Sequence, residues 1–436
     1  MERDRINEIL TKISSVRIAV YGDFCLDAYW LMDPDGSEVS VETGLKAEAV
    51  ASHVYSPGGA GNIVANLAAL KPAAIKVIGV AGNDIYGREL SSQLRDLGAD
   101  TDALIIQNEK FDTYTYTKKY YGDKEDPRID FGLKNNRSED TDTAILLNLK
   151  DALENYDALI FNQQVTGSIS KLSFIDEANK LFEQYSDKIV VLDSRHFNAN
   201  FRNVFRKTNE IEIAVLGGKD VNPQDFVSIS EVRQYGSQEY EQYKKPVFVT
   251  CGDRGIISID SSGITETPGI QLLKKLDTVG AGDTTISALS LCLAAQVSPA
   301  ESAQFANLAA GVTVQKLFTT GTANGEEIMA LNDDADYNHR PELAVDIRLA
   351  KYLPDSEIEL CNSDIASKAG SIEHALFDHD GTISTLRQGW EAIMEPVMIK
   401  AILGDKYETA DSNLFQKVIE QVVEFIDMST GIQTIL

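Results

Sequence analysis

The chain reads as an α/β protein, a parallel sheet between helices with a small second sheet beside it, followed by a shorter C-terminal segment. Three observations predict this. Short β-branched runs are continuously apolar, helix-like stretches separate them, and only two segments alternate with period two. A strand buried on both faces needs the first pattern; a strand with one face outward needs the third.

The elements follow in order. Arg17-Ile18-Ala19-Val20-Tyr21 reads as a strand ending at Gly22-Asp23. Lys76–Val80, Ala158–Phe161, Ile189–Leu192 and Val247–Thr250 share its character, with Asn62–Leu70 and Tyr86–Leu97 as intervening helices. Parallel strands between helices are the expected result. Thr113–Tyr121 alternates, as does Leu45–Tyr55 more loosely. Both read as antiparallel strands of a side sheet, either a lid and dimer contact or a plain exposed hairpin. Ile211–Leu216 reads as a further strand running into Gly217-Gly218-Lys219-Asp220. Asp333–Gly370 is acidic, contains Pro341 and Pro354, and reads as a connector with one short helix near Val345. A strand at His374–Phe377 and helices at Trp390–Leu403 and Asn413–Met428 follow. The expected boundaries are therefore 1–332, 333–370 and 371–436.

A length of 436 residues suits two or three domains. The net charge of −27 argues against nucleic acid, which needs clustered Lys and Arg. No apolar run approaches the ~18 residues of a membrane span. Met1-Glu2-Arg3-Asp4-Arg5 lacks an apolar signal core, so a cytoplasmic protein is expected. Cys25, Cys251, Cys292 and Cys361 are scattered and read as free thiols. The histidines show no metal-ligand spacing.

The most informative stretch is Asp277-Thr278-Val279-Gly280-Ala281-Gly282-Asp283-Thr284, with a small-residue helix from Thr285 to Ala295 behind it. Glycines let backbone approach a ligand closely, and a helix start offers unpaired N–H groups to a phosphate. The Gly280, Ala281 and Gly282 amides could stabilise the charge of phosphoryl transfer, and Asp283 could take the proton of an attacking hydroxyl. A helix N-cap is the competing role for Asp283. Toward the N-terminus, Pro57-Gly58-Gly59-Ala60-Gly61-Asn62 opens another helix, and Gly22-Asp23-Phe24-Cys25-Leu26-Asp27 follows the first strand. Asp27 and Asn62 have the acceptors and donors to hold sugar hydroxyls. Helix capping and strand-end solvation are the alternatives for these residues.

These three motifs, in this order from about Arg17 to Thr322, resemble the ribokinase (PfkB) family of sugar kinases. Within it, the likeness is greatest to the kinase half of the bifunctional heptose-phosphate kinase/adenylyltransferase. Gly22–Trp30, Pro57–Asn62 with Asn66, Arg128–Phe131, and Phe305-Ala306-Asn307 with Ala309-Ala310-Gly311 carry that likeness. The resemblance implies a ribokinase-like three-layer α/β/α sandwich with a small β lid, ATP with Mg²⁺, and K⁺ near Asp277; the alternating tyrosine strand points to a lid-mediated homodimer. It makes Asp283 the base, Gly280–Gly282 the anion hole, and Asp27, Gly58, Gly59 and Asn62 the sugar-holding residues. Thr250, Gly252 and Gly255, from a T-x-G-x-x-G turn, would border the nucleotide with Asn307. Two departures stand out. The family's N-x-x-E motif is not found after the strand read at Ile211–Leu216, where Asn222-Pro223-Gln224-Asp225 is a late substitute. Asn162–Gly167 stands where the heptose kinases have an Asp and a Lys. No H-x-G-H motif occurs, so an adenylyltransferase half is not expected.

Phe377-Asp378-His379-Asp380-Gly381-Thr382 places two carboxylates one residue apart. Such a pair suits Mg²⁺ binding and phosphoryl chemistry. The stretch resembles motif I of the haloacid-dehalogenase (HAD) phosphatases, which makes Asp378 and Asp380 candidate Mg²⁺ ligands. The remaining residues look helical and cap-like, so only the first part of such a domain is expected. A carbohydrate kinase leads the readings. The alternatives are a HAD-type phosphatase carrying a decayed kinase, and a non-catalytic sugar- or nucleotide-binding protein.

Overall fold

A computed structural model of the chain describes residues 1–122, 124–223, 225, 227–270, 272, 276–316, 321–335 and 337, then 370, 373–374, 376, 390–407, 410, 414, 418, 421–422 and 425. Its central strand is β1 (Arg17–Gly22). Ile18 and Val20 enter the apolar core on one face, and Ala19 and Tyr21 enter the core on the other. That two-sided burial is why the run is continuously apolar.

Chain order supplies β2 (Phe24–Asp33), β3 (Ala49–Gly59), β4 (Ala74–Gly82), β5 (Asp100–Gln107), β6 (Tyr114–Tyr121), β7 (Lys124–Phe131), β8 (Ala158–Gln163), β9 (Ile189–Ser194), β10 (Phe205–Asn209), β11 (Val247–Thr250), β12 (Ile256–Asp260) and β13 (Gly263–Thr267). The main sheet runs β13-β12-β11-β10-β9-β8-β1-β4-β5. All its pairings are parallel except β11–β12 and β12–β13. The helices are α1 (Arg3–Ile13), α2 (Ala60–Leu70), α3 (Ile85–Asp96), α4 (Glu139–Asn155), α5 (Leu172–Gln184), α6 (Glu210–Leu216), α7 (Ile229–Tyr243), α8 (Ala281–Ala294), α9 (Pro299–Thr313) and α10 (Gly325–Asp334). Residues of α1, α2, α8 and α9 pack into one core, and those of α4 and α5 into the opposite one. The α6–α7 pair covers the β10–β12 end.

The lid is a four-stranded sheet, β3-β2-β6-β7. The period-two segments overlap β3 and β6, which pair antiparallel with β2 and β7 as expected, but one pairing in the sheet is parallel. β6 runs parallel to β2, which continues directly from β1 and was not anticipated as a strand. Asp27 therefore lies on a strand, not on a loop.

A second correction concerns Ile211–Leu216, which is helical. Asn209 caps α6: its side chain accepts from the Glu212 N–H, and the Glu212 carboxylate accepts from the Asn209 N–H. This reciprocal capping overrides the strand-like spacing of Ile211, Ile213 and Val215.

Contacts divide the chain into two units, Met1–Leu272 with Leu276–Leu349, and Leu273–Lys275 with Ala350–Leu436. The described part of the second contains a helix, Trp390–Leu403, as its apolar run leads one to expect. Ile399, Leu403, Val418 and Val422 form its small core. The strand expected at His374–Phe377 is not formed at His374 or Leu376, and Leu376 is fully exposed. Asp378 and Asp380, most of the connector and most of Asn413–Met428 lie outside the described residues. Among the described residues no helix is long and apolar enough to cross a membrane.

Candidate active site

The strand order reverses at β1: β4 and β5 add on one side, and β8 to β11 on the other. In an open α/β sheet, a crevice forms at such a point beyond the carboxyl ends of the strands. Asp23 follows β1 there, Asn162 and Gln163 end β8, Asp193 and Ser194 end β9, and Lys207 to Asn209 end β10.

The D-T-x-G-A-G-D motif opens α8 beside these ends. Gly280 has φ +85°, a left-handed conformation that glycine adopts without steric cost. The Ala281 N–H turns back to the Thr278 carbonyl at 3.3 Å. The Gly282 and Asp283 N–H groups stand in the first turn, where no preceding helical turn supplies acceptors. Asp283 is tied to the N-terminal motif: the Asn62 Nδ2 donates to its Oδ2 at 2.6 Å. Behind that contact, Asn66 donates to the Asn62 carbonyl and accepts from the Thr284 hydroxyl at 2.8 Å. Thus α2 and α8 are cross-linked by buried hydrogen bonds, which locks the carboxylate's position. Asn62 is committed to Asp283 rather than standing free for a ligand.

Burial pushes the Asp283 carboxyl up to about 6, reinforced by Asp193 and Asp27 and opposed by the Asn62 hydrogen bond and Lys207. A carboxylate in that range is a stronger base than an ordinary aspartate. If Asp283 is the base, kcat/KM falls as pH drops through about 6 and approaches a tenfold loss per unit below it. A pH–rate profile of the free enzyme measures this, and a limb near the ordinary aspartate value of about 4 would contradict it.

Sequence reading missed the neighbours of Asp283. The Lys207 ammonium lies 2.8 Å from Asp193 Oδ2, with both side chains buried. It would lie 3.2 Å from a Cβ placed on Gly282, so it adjoins the start of α8. Burial works to lower the lysine pKa, but Asp193 and Glu212 outweigh it and the net shift is upward. Lys207 therefore stays charged. Glu212 is pushed up by burial and by Asp193, partly offset by Lys207. The N-x-x-E motif, sought after the wrong element, is Asn209-Glu210-Ile211-Glu212, directly after β10. The signal was its capping-box pattern. It went unread because β10, Phe205-Arg206-Lys207-Thr208-Asn209, carries two charges where an apolar run was expected.

Among the described residues no three His, Cys, Asp or Glu side chains converge as a metal cage. Mg²⁺ seldom uses one; it takes one or two carboxylates together with waters and phosphate oxygens. Glu212 is a carboxylate of that kind: it accepts the Asn209 N–H through Oε2, and with waters and phosphate oxygens it fits the ion, whereas Asp193 is taken up by Lys207.

At the start of the lid, Gly58 and Gly59 bring β3 against β2. A Cβ on Gly58 would lie 2.7 Å from Asp27 Oδ2, and one on Gly59, at φ +55°, would collide with the Asp23 carbonyl. Larger residues would displace Asp27. Burial raises the Asp27 carboxyl, opposed by Lys118 and Arg128. Asp23 accepts from the Gln164 and Val165 N–H groups, both at 2.7 Å, a structural role. Gln163 likewise braces the β8 and β9 ends through the Val165 carbonyl, the Ser194 hydroxyl and the His196 N–H. Asn162–Gly167 is thus held by hydrogen bonds to Asp23, Ser194 and His196.

Thr250 Oγ1 donates to the Thr208 carbonyl, and Gly252 and Gly255 flank a 3₁₀ turn at Gly252–Arg254. Asn307 donates to the Pro268 carbonyl at 2.9 Å, which commits its amide to the loop beside that turn. Asp277 accepts from the Val279 N–H and is half-buried before Gly280.

A buried carboxylate pushed up to about 6, a glycine-led helix start and a charged lysine thus gather at the switch point of the sheet. The chain belongs to the pfkB family of carbohydrate kinases, whose model matches residues 17–325. It is 27% identical over 394 residues to the bifunctional protein HldE of Desulfatibacillum aliphaticivorans, covering 89% of this chain and 77% of the relative. Its fold is that of Arabidopsis thaliana ribokinase, solved with ribose and ATP, at TM-score 0.54 and 19% identity over 73% of this chain and 98% of that one. Escherichia coli phosphofructokinase-2, solved with fructose-6-phosphate, gives 0.55 and 18% over 73% and 99%. The chain is thus a ribokinase-like carbohydrate kinase, a class that calls for ATP and a divalent metal.

Proposed function

We propose that the chain transfers the γ-phosphoryl group of MgATP to a hydroxyl of a sugar or sugar phosphate, with heptose 7-phosphate as the leading acceptor and Asp283 as base. The observation that carries this reading is the 2.6 Å contact between Asn62 and Asp283. It joins motifs 221 residues apart and fixes the carboxylate beside Lys207 and the helix start.

Asp27, with Gly58 and Gly59 at its back, holds the sugar, while Asn62 orients the base. The Gly280–Gly282 backbone and Lys207 receive the transferred phosphoryl group. Thr250, Gly252, Gly255 and Asn307 shape the nucleotide side. Glu212 would hold Mg²⁺, which when bound neutralises phosphate charge; Asp277 is the candidate for K⁺. The β3 and β7 edges of the lid are the surface for a homodimer, and the cytoplasm, with its ATP, is the compartment. Residues 1–332 form the kinase, 333–370 the connector and 371–436 the start of a HAD-like domain. This last assignment is supported by the D-x-D-G motif at Asp378 and Asp380.

A panel of sugars and sugar phosphates in a coupled ADP-release assay tests the proposal. Acceptor-dependent ADP release, greatest with heptose 7-phosphate, is expected. ADP release indifferent to every acceptor would overturn it.

A further inference from the structure

An ionised carboxylate can only accept hydrogen bonds. The Asp283 Oδ2 takes the Asn62 Nδ2 donor, and its Oδ1 takes none among the described residues. That one contact dictates the sense of every bond behind it. With its amino group on Asp283, Asn62 turns its Oδ1 to Asn66, whose Nδ2 lies 3.5 Å from that oxygen and 2.9 Å from the Asn62 carbonyl. Asn66 therefore shows its own Oδ1 to the Thr284 hydroxyl, at 2.8 Å. A hydroxyl has one proton to give. The other acceptor near it, the Gly280 carbonyl at 3.2 Å, already receives the Thr284 N–H at 3.0 Å. Among the described residues only Thr284 donates to the Asn66 oxygen. Thr284 thus donates to Asn66 and accepts from the Thr313 hydroxyl at 3.0 Å. The donors run one way, from α9 through α8 and α2 to the carboxylate.

Asn62, Asn66, Thr284 and Thr313 are all buried, so water cannot stand in for a lost partner. If the Asn62 amide turned over, its oxygen would face the carboxylate and its amino group would face that of Asn66. Both contacts are repulsive, so the chain permits one orientation. Ser287, further along α8, is a contrast. Its hydroxyl reaches the Ile63 carbonyl of α2 at 3.2 Å and the Asp283 carbonyl at 2.7 Å, but no side chain of this series.

On the reading that Asp283 is the base, we propose that Asn66 and Thr284 are positioning residues: they hold the Asn62 amide with its N–H toward Oδ2, which leaves Oδ1 to receive the acceptor's proton. The proton passes to Oδ1 as the hydroxyl oxygen bonds to the γ-phosphorus, and ADP leaves with the electrons of the broken P–O bond. Asn62 keeps its bond to Oδ2 throughout, so the site is organised before the step. Donation to the carboxylate also favours its ionised form. It acts with Lys207 of β10, and against burial, Asp193 of β9 and Asp27 of β2.

Thr284→Val, close to isosteric, tests this on the full chain beside Thr284→Ser and Ser287→Ala. Valine removes the donor to Asn66 and frees both amides to turn. The acid limb of the kcat/KM profile is expected to rise from about 6 by about one pH unit, the scale of one hydrogen bond to a charged group. The plateau kcat is expected to fall about ten- to a hundredfold, as for a misplaced catalytic group, with KM little changed. Thr284→Ser keeps the hydroxyl and should restore the native profile. Ser287→Ala should lower the melting temperature without moving the limb. Carboxyl carbon NMR, with the Asp283 signal identified by its loss in Asp283→Asn, follows the same ionisation without substrate. Should Thr284→Val not fold, Asn66→Leu, which removes the next member, carries the same expectations. A limb and a signal that stay in place, or that move as far in Ser287→Ala, would overturn the proposal. The two readings fail separately. An Asp283 signal that shifts in Thr284→Val while the rates stay native sinks the base and leaves the hydrogen-bond chain standing. A native limb near 6 that Thr284→Val does not move does the reverse.

Discussion

Asp283→Asn is expected to lower kcat by about a hundred- to ten-thousandfold, the range for losing a positioned general base, while ATP and acceptor still bind. The substitution is close to isosteric. Asn62 can still meet a side-chain oxygen at position 283, and the Asn66–Thr284 link between α2 and α8 does not involve the carboxylate. The fold and the helix-start backbone therefore persist, and only the proton acceptor is lost. Steady-state rates with calorimetric binding separate the two effects. Near-normal kcat in this variant would remove Asp283 from the chemistry and leave it a structural partner of Asn62.

Lys207→Met is the second large effect. Asp193 would be left as a buried carboxylate without its ammonium. Breaking a buried pair from one side costs about 3–5 kcal/mol of stability. The same change removes the cation beside Gly282, with an expected loss of about a hundred- to a thousandfold in kcat, comparable to deleting one preorganised donor. Adding Asp193→Asn separates the roles, because it removes the orphaned charge: melting temperature should recover while the rate does not. If activity returned with stability, Lys207 would be a structural ion-pair partner only.

Lys207 and Asp193 also mark where the sequence stops being legible. Strands β1, β4, β8, β9 and β11 were legible because both faces are apolar and the runs are unbroken. The D-T-x-G-A-G-D stretch and the Gly58–Gly59 motif were legible because their backbone demands are met by glycine alone. β10 was not, since Arg206 and Lys207 look unfit for a buried strand. Their charges are compensated by Glu239 and Asp193, which come from α7 and β9. No local pattern announces partners that distant. The misreading of α6 followed: with β10 unseen, Ile211–Leu216 took the place of the missing strand, and Asn209 and Glu212 were passed over. Lid pairing was illegible for a related reason. Period-two alternation gives the exposed face of a strand but not the direction of its neighbour, so the parallel β2–β6 pair could not be foreseen.

The central claim is that this site moves a phosphoryl group from ATP to a carbohydrate hydroxyl through Asp283. Incubation with γ-labelled ATP and heptose 7-phosphate, with the product identified by mass and by label, tests it most directly. The account predicts a sugar bisphosphate that carries one labelled phosphoryl group, formed by the native chain and lost in Asp283→Asn. Label found only in inorganic phosphate, or in a sugar product that Asp283→Asn makes equally well, would contradict it.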